Sequence, residues 1–126
     1  MKPLAGMTSV ILADMKTAVS IPEPVASEPG SRRPLLVVQA DSFNRSRIQT
    51  VLAVVLTTNL ARADAPGNLH LAREETGLPK DSVANVSQIV TADRRFLTER
   101  VSALSARRLA EVDSGLLLVL DIESSR

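Results

Sequence analysis

The segment Ser27–Pro34 has the residues of an anion-binding loop. It reads SEPGSRRP and brings a carboxylate, two guanidinium groups and several backbone N–H groups to the start of an apolar run. Arginine presents a planar fork of donors that matches phosphate oxygens, and Pro34 fixes the chain direction directly after Arg33. Taken alone, a solvated loop is the more common explanation of such a motif. The chemistry it offers is the binding of a phosphate.

A second group of polar residues follows the most β-rich run of the chain. Thr57, Thr58 and Asn59 end that run, and side chains that leave a rigid central strand are well placed to hold a ligand. Asn44–Arg47 adds an amide and two guanidinium groups, which are more commonly a polar helix face. His70 alternates with two leucines and has no carboxylate pattern nearby, so we expect no ligand or base role for it.

The composition excludes several kinds of chemistry. The chain has no cysteine and one histidine, so it contains no thiol nucleophile, Cys-ligated zinc or multi-histidine metal site. No G-x-S-x-G motif marks a serine nucleophile. There is no Trp or Tyr, and Phe43 and Phe96 are the only phenylalanines, which leaves little aromatic surface for base stacking. A net charge of +1 means that any anion site must come from local clustering.

The elements that must position these residues are short and mostly β. Pro and Gly in 22–34 predict a long loop, and the continuous apolar run in 50–58 predicts a central strand buried on both faces. Residues 82–90 are predicted to form a further strand, in which a change of phase indicates a bulge or strong coiling. Ser105 is expected to cap a terminal helix. The other predicted elements are strands over 15–21, 35–39, 68–72 and 100–104, a short helix or turn over 41–47, a turn over 74–81, and a helical turn over 92–97 capped by Thr91.

Connections this short favour antiparallel pairing. We therefore expect one domain that is mostly β with α, a small curled antiparallel sheet or barrel with a C-terminal helix packed on it. Residues 1–14 are assigned to an N-terminal extension, 15–122 to the domain and 123–126 to a tail. The apolar run Leu4–Ala13 is too short to span a bilayer and is a poor signal peptide, which predicts a cytoplasmic protein.

The motifs occur in an order that resembles one known family, the MazF/PemK/Kid toxin endoribonucleases. The resemblance covers about residues 20–122. It rests on SEPGSRRPLLVVQADSFN (27–44), TVLAVVLTTNL (50–60), APGN (65–68), TGLPKDSVANVSQIVT (76–91) and LTERV (97–101), followed by a leucine-rich terminal helix.

The resemblance implies an SH3-like, CcdB/MazF-like barrel that forms a homodimer and cuts single-stranded RNA at short sequences without a metal or other cofactor. It implies a catalytic pair, Arg33 and Thr57, with Ser27 and Glu28 at the RNA site; Asn44 and Gln88 are further RNA contacts. The expected products carry 2′,3′-cyclic phosphate and 5′-OH ends. The expected partner besides RNA is a MazE-like antitoxin whose flexible segment occupies the RNA groove.

Two other functions stay open at the level of the sequence. One is a catalytically impaired module on the same scaffold that binds antitoxin or RNA without cutting. The other is a gyrase-poisoning toxin like CcdB, which shares the barrel. The latter relies on a Trp-Gly-Ile tail, and this chain ends in Ile122-Glu123-Ser124-Ser125-Arg126 instead.

Overall fold

The computed structural model describes residues 9–14 and 32–123. Six strands form one sheet in the order β4-β5-β3-β2-β1-β6, and every pairing between them is antiparallel. This confirms the predicted small antiparallel sheet. The strands are β1 (Ser9–Asp14), β2 (Arg32–Val37), β3 (Thr50–Thr57), β4 (Leu69–Leu71), β5 (Ser82–Asp93) and β6 (Leu97–Ala103).

In the described part of the chain, three α-helices accompany the sheet: α1 (Asp41–Asn44), α2 (Arg73–Thr76) and α3 (Ala106–Leu120), with 3-10 turns at Leu60–Asp64 and Arg94–Phe96. The hydroxyl of Ser105 accepts a hydrogen bond from the Arg108 N–H and caps α3, as predicted. The prediction that Thr91 caps the turn before β6 is wrong. Thr91 is still paired within β5, and the Asp93 carboxylate accepts the Arg95 N–H instead.

The first strand corrects the expected start of the domain. β1 occupies residues that we assigned to an extension, and it pairs with both β2 and β6. Val10, Ile11 and Ala13 are fully buried because both faces of this central strand are covered, so the segment shows no alternation of apolar and polar residues. The alternating segment predicted as a strand, 15–21, lies outside the described residues.

Two apolar clusters cover the two faces of the sheet. The face on which α3 packs, here called the helix face, is built around Leu36, Val54 and Leu56 with Val112 of α3. The helix-distal face has Leu35, Ala53 and Val55. Four consecutive residues of β3, Ala53–Leu56, are buried, which confirms the prediction of a central strand covered on both sides.

The predicted bulge lies in β5. Val54 pairs with Ile89 while the next residue, Val55, pairs with Asn85, so the three residues Val86–Gln88 have no partner positions on β3. An insertion of this kind bends a strand and re-aims its side chains. Here it separates the buried half of β5, which carries Asn85, from the more exposed half that begins at Ile89.

A close backbone contact fixes α3 against the sheet. A Cβ atom added to Gly115 would lie 2.2 Å from the carbonyl oxygen of Gly67. Gly67 itself has φ +86°, a left-handed conformation that favours glycine. Glycine in a helix costs about 1 kcal/mol relative to alanine, and this contact is the reason that the helix contains one.

Gly115→Ala should therefore destabilise the protein although it raises helix propensity. We expect the free energy of unfolding to fall by about 1–3 kcal/mol, since the added methyl group must push α3 away from Gly67. Urea denaturation measures this change in the free energy of unfolding. Ser114→Ala, at the neighbouring exposed position, is the matched control and should be neutral or slightly stabilising. Equal stability of the two variants would contradict this packing.

Candidate active site

The register between β2 and β3 directs Arg33 and Thr57 to the same face of the sheet, at the ends of neighbouring strands. The observed partners are Leu35 with Val55, Leu36 with Val54 and Val37 with Ala53. Continuing this register by two residues brings Arg33 opposite Thr57. Residues opposite each other in an antiparallel pair have their side chains on the same face, with Cα atoms about 5 Å apart. Arg33 and Thr57 therefore project from the same face, and their contact with one phosphate group stays a prediction.

This pair belongs to a row that crosses the sheet on its helix-distal face. Thr57 also pairs with Val83, which pairs with His70, and Arg33 also pairs with Ala13, which pairs with Leu97. We call these six residues the site row; in spatial order they are His70, Val83, Thr57, Arg33, Ala13 and Leu97. Arg33 and Thr57 are its two central members.

The environment of Arg33 strengthens its interaction with an anion. The residue is 8% exposed although its side chain carries a full charge. A charge interaction in a poorly solvated position is much stronger than the same interaction in water. A phosphate group that reached this guanidinium would therefore be held more tightly than by a surface arginine.

The hydroxyl of Thr57 is oriented by its own strand end. Its Oγ1 atom accepts a hydrogen bond from the Asn59 backbone N–H at 3.1 Å. A hydroxyl has one donor and two acceptor sites, so the Thr57 proton stays available to a ligand. The Asn59 side chain in turn accepts the Ala61 N–H and caps the turn that follows. The local hydrogen bonds thus fix the direction in which Thr57 can donate.

Gln88 is linked to the site by a polar network at the bulge. Asn85 lies opposite Val55, two residues from Thr57 along β3 and therefore on the same face, and is 2% exposed. Its Nδ2 donates to Gln88 Oε1 at 2.9 Å, and its Oδ1 accepts from Asn68 Nδ2 at 3.2 Å. Buried amides in such a network are rigid. The structure thus ties Gln88 to Asn85, a buried residue on the same face as Thr57 that sequence reasoning missed.

Asn44 is not brought to the site. It lies beyond the opposite end of β2 and is 2% exposed. Its Oδ1 accepts from Gln39 Nε2 at 3.1 Å and its Nδ2 donates to the Gln39 carbonyl at 3.3 Å. These bonds join α1 to the end of β2, so the side chain has a structural role here. Ser27 and Glu28 lie outside the described residues.

His70 does have a carboxylate partner, contrary to the expectation from sequence. Its Nε2 lies 3.1 Å from Asp81 Oδ2, and the two side chains are 47% and 38% exposed. The backbone N–H of Arg73 also donates to Asp81, at 2.9 Å. Hydrogen bonds from Arg73 and then from His70 hold the pKa of the Asp81 carboxyl below its usual range. The pair was missed because eleven residues separate it along the chain.

A pocket of about 480 Å³ lies on the helix face, away from Arg33 and Thr57. Its walls include Leu12, Pro34 and Leu78, together with Arg32 and Thr58. Successive side chains of a strand point to opposite faces, which explains why the immediate neighbours of the predicted pair line this pocket. Arg32 is bound there to Glu99 at 2.8 Å.

An ion-pair network joins α2, α3 and β4 next to His70. Arg108 Nε donates to Glu75 Oε1 at 2.7 Å, and Arg108 Nη2 donates to the His70 carbonyl at 2.6 Å. The Arg108 side chain is 17% exposed, so this pair is less screened than a surface pair. The network holds β4 and α2 in place at the edge of the sheet.

Within residues 9–14 and 32–123, no three His, Asp or Glu side chains are grouped as ligands for a metal ion. In the same part of the chain, no helix is long and apolar enough to cross a membrane.

The whole domain matches a known family model. Residues 7–120 match the PemK-like, MazF-like toxin of type II toxin–antitoxin systems. The chain therefore belongs to this toxin family, and the resemblance inferred from its motifs is confirmed. The match includes β1, in agreement with the place of that strand in the sheet.

Relatives of this chain are named as MazF endoribonucleases. It is 50% identical over 99 residues to endoribonuclease MazF2 of Mycobacterium bovis and to endoribonuclease MazF6 of Mycobacterium tuberculosis, covering 79% of this chain and 87% of each relative. Among solved structures, toxin MazF-mt6 of Mycobacterium tuberculosis has a TM-score of 0.72 at 15% identity, covering 92% of this chain and 99% of that one.

A mycobacterial endoribonuclease in complex with its cognate antitoxin has a TM-score of 0.71 at 20% identity, covering 98% of this chain and 100% of that one. These structural matches confirm the fold, an antiparallel sheet with a C-terminal helix.

The ion pair beside His70 predicts how stability depends on pH. Hydrogen bonds from the Ala72 N–H and from Arg108 lower the pKa of Glu75 from 4.5. The charged form therefore stabilises the fold, fully above about pH 4.5, and this stability is lost as the pH falls through the lowered pKa. Glu75→Gln should lower the free energy of unfolding by about 1–2 kcal/mol near neutral pH and have little effect in acid.

Denaturation at a series of pH values measures this difference. Glu74→Gln is the matched control, since the Glu74 side chain is 74% exposed. Its free energy of unfolding should depend on pH as that of wild type does. A constant difference between Glu75→Gln and wild type at every pH would contradict the prediction.

Proposed function

We propose that this chain is the toxin of a type II toxin–antitoxin system and cleaves single-stranded RNA as an endoribonuclease. The observation that supports the proposal is the register of β2 with β3, which directs Arg33 and Thr57 to the same, helix-distal face of the sheet. A buried cation and an oriented hydroxyl side by side form a site for one phosphate group. Family membership and the endoribonucleases related at 50% identity support the same function.

The reaction needs no nucleophile from the protein. The 2′-oxygen of the RNA attacks the adjacent phosphorus while the bond from phosphorus to the 5′-oxygen breaks. The 2′-hydroxyl loses its proton to a base, and the leaving 5′-oxygen gains one, which gives 2′,3′-cyclic phosphate and 5′-OH ends. We propose that no metal ion is required for this step. The protein has to align the linkage, stabilise charge on the phosphate oxygens and move two protons.

Arg33 and Thr57 are suited to the charge-stabilising part of this work. The Arg33 guanidinium can donate two parallel hydrogen bonds to the non-bridging oxygens. Thr57 can donate its hydroxyl proton to the same phosphate while Asn59 holds its Oγ1 atom. Arginine is a poor proton carrier because the pKa of its guanidinium lies far above neutral pH. We propose Glu28 as the base, with Ser27 and Gln88 as contacts to the RNA.

The proposed partners follow from the same assignment. We propose that a MazE-like antitoxin competes with RNA for this face, in the cytoplasm where messenger RNA is found. We also propose that the toxin is a homodimer. Exposed apolar side chains near the end of α3 support an interface there, since such clusters commonly mark contacts with other proteins: Leu117, Leu118, Leu120 and Ile122.

Substitution of the central pair tests the proposal. Thr57→Val removes the hydroxyl and keeps the shape, and Arg33→Ala removes the cation; each should lower kcat by about 10²–10³-fold because one stabilising donor is lost. Thr57→Ser should retain most activity. Cleavage of a long single-stranded RNA in EDTA, with identification of 5′-OH ends, measures the effect.

The controls are the immediate neighbours of the pair. Thr58→Val and Arg32→Ala change the same residue types on the helix face and should cleave as wild type does. Cleavage that survives Arg33→Ala would contradict the assignment of the site. RNA that stays intact with wild-type protein, together with antitoxin binding, would indicate the alternative module that binds without cutting.

The role of Glu28 has its own test. If Glu28 is the base, Glu28→Gln should remove the acidic limb of the pH–rate profile, since that limb reports protonation of the essential base. The profile is measured with a short RNA under single-turnover conditions, with Glu23→Gln as a second acidic residue from the same part of the sequence. An unchanged acidic limb in Glu28→Gln would exclude Glu28 as the base.

A further inference from the structure

The His70–Asp81 pair occupies one end of the site row. The two residues on either side of His70, Leu69 and Leu71, pack toward the helix face, so the imidazole lies on the same face as Thr57. Two inter-strand steps separate His70 from Thr57, and their Cα atoms are thus about 10 Å apart. The half-exposed ring therefore borders the surface on which we propose that RNA lies.

The contacts of this pair fix the position of the ring and the tautomer of its neutral form. Asp81 is held by the Arg73 N–H, and the His70 backbone is held by Arg108. An ionised carboxylate only accepts hydrogen bonds, so His70 Nε2 must donate its proton to Asp81. In the neutral ring the other nitrogen, Nδ1, is then an acceptor. The pair presents one oriented acceptor next to the site.

Distance decides which part of the RNA could reach this acceptor. A hydrogen bond spans about 2.7–3.2 Å between heavy atoms, so a phosphate held between Arg33 and Thr57 is too far from His70 to be shared. Val83, which lies between Thr57 and His70 in the site row, is fully buried, so a nucleotide that flanks the scissile linkage would meet the half-exposed ring from the solvent side of the sheet edge instead. Val83 has no polar side-chain group, which leaves His70 as the next polar member of the row.

We propose that His70 Nδ1 accepts a hydrogen bond from a nucleotide flanking the cleaved linkage and thereby contributes to the choice of sequence. This inference rests on the proposed function of the Arg33–Thr57 site. The donor is an O–H or N–H group of the RNA, either the 2′-hydroxyl of the flanking ribose or an amino or imino group of its base. In this role Asp81 is a positioning residue that acts through His70.

The experiment compares wild type with His70→Ala and His70→Gln on short RNAs that span a mapped cleavage site. One substrate series replaces the 2′-hydroxyl by hydrogen at each flanking nucleotide, and a second series replaces the flanking bases. His70→Ala should raise KM about 3- to 10-fold with kcat nearly unchanged, because one hydrogen bond to bound RNA is lost. His70→Gln, which keeps an acceptor, should recover part of the loss.

The decisive result is coupling between the protein and the substrate. At one flanking position, the modified substrate should have a raised KM with wild type and an unchanged KM with His70→Ala. An effect in the 2′-deoxy series identifies a ribose donor, and an effect in the base series identifies a base donor. Asp81→Asn should show a reduced form of the same coupling. An unchanged KM in His70→Ala, or a KM raised equally for every substrate, would overturn the proposal, and the second outcome would indicate a structural role only.

Binding measurements separate this inference from the proposed function. The dissociation constant for RNA with a 2′-deoxy group at the scissile nucleotide, which cannot be cleaved, is measured with the same variants. If Arg33→Ala still cleaves, the assignment of the site fails, while coupling at His70 in binding would still support the contact. If wild-type protein does not bind this RNA, both proposals are overturned.

Discussion

The alignment of β2 with β3 is the constraint on which the site depends. Leu35 pairs with Val55, and the same register carried toward the strand ends sets Arg33 against Thr57. A slip of one residue would move every side chain of a strand to the other face, so the buried Leu36 and Val54 also hold the pair in place. The free energy of the apolar core thus fixes the geometry of the polar site, and the site needs no loop to align its two central side chains.

The two faces of the sheet have different roles: one packs against α3, and the other carries the site row. Helix α3 covers one face, and its close approach at Gly67 and Gly115 leaves room for no intervening side chain. The helix-distal face carries the site row, with the Asn85 network on one side and His70 at its edge. Neighbours along the chain, such as Arg32 and Arg33, are therefore separated in function: one binds Glu99 beside the pocket and the other faces the proposed phosphate site.

Local signals were sufficient for part of the fold. The β-branched run of β3 and the serine that caps α3 were predicted correctly because their causes lie within a few residues. β1 was missed because Val10–Ala13 is buried on both faces and shows no alternation, whereas 15–21 does alternate. The pairing of Arg33 with Thr57 came from a family resemblance, since strand register depends on distant contacts. His70 and Asp81 meet only after β4 pairs with β5, and no sequence pattern indicated them.

A crystal structure of the protein with an RNA that has a 2′-deoxy group at the scissile nucleotide tests the Arg33–Thr57 site most directly. The distances to be measured join the Arg33 guanidinium and Thr57 Oγ1 to the scissile phosphate. We expect both groups within about 3 Å of its non-bridging oxygens. A phosphate bound in the pocket of the helix face, with Arg33 and Thr57 making no contact to RNA, would contradict the account.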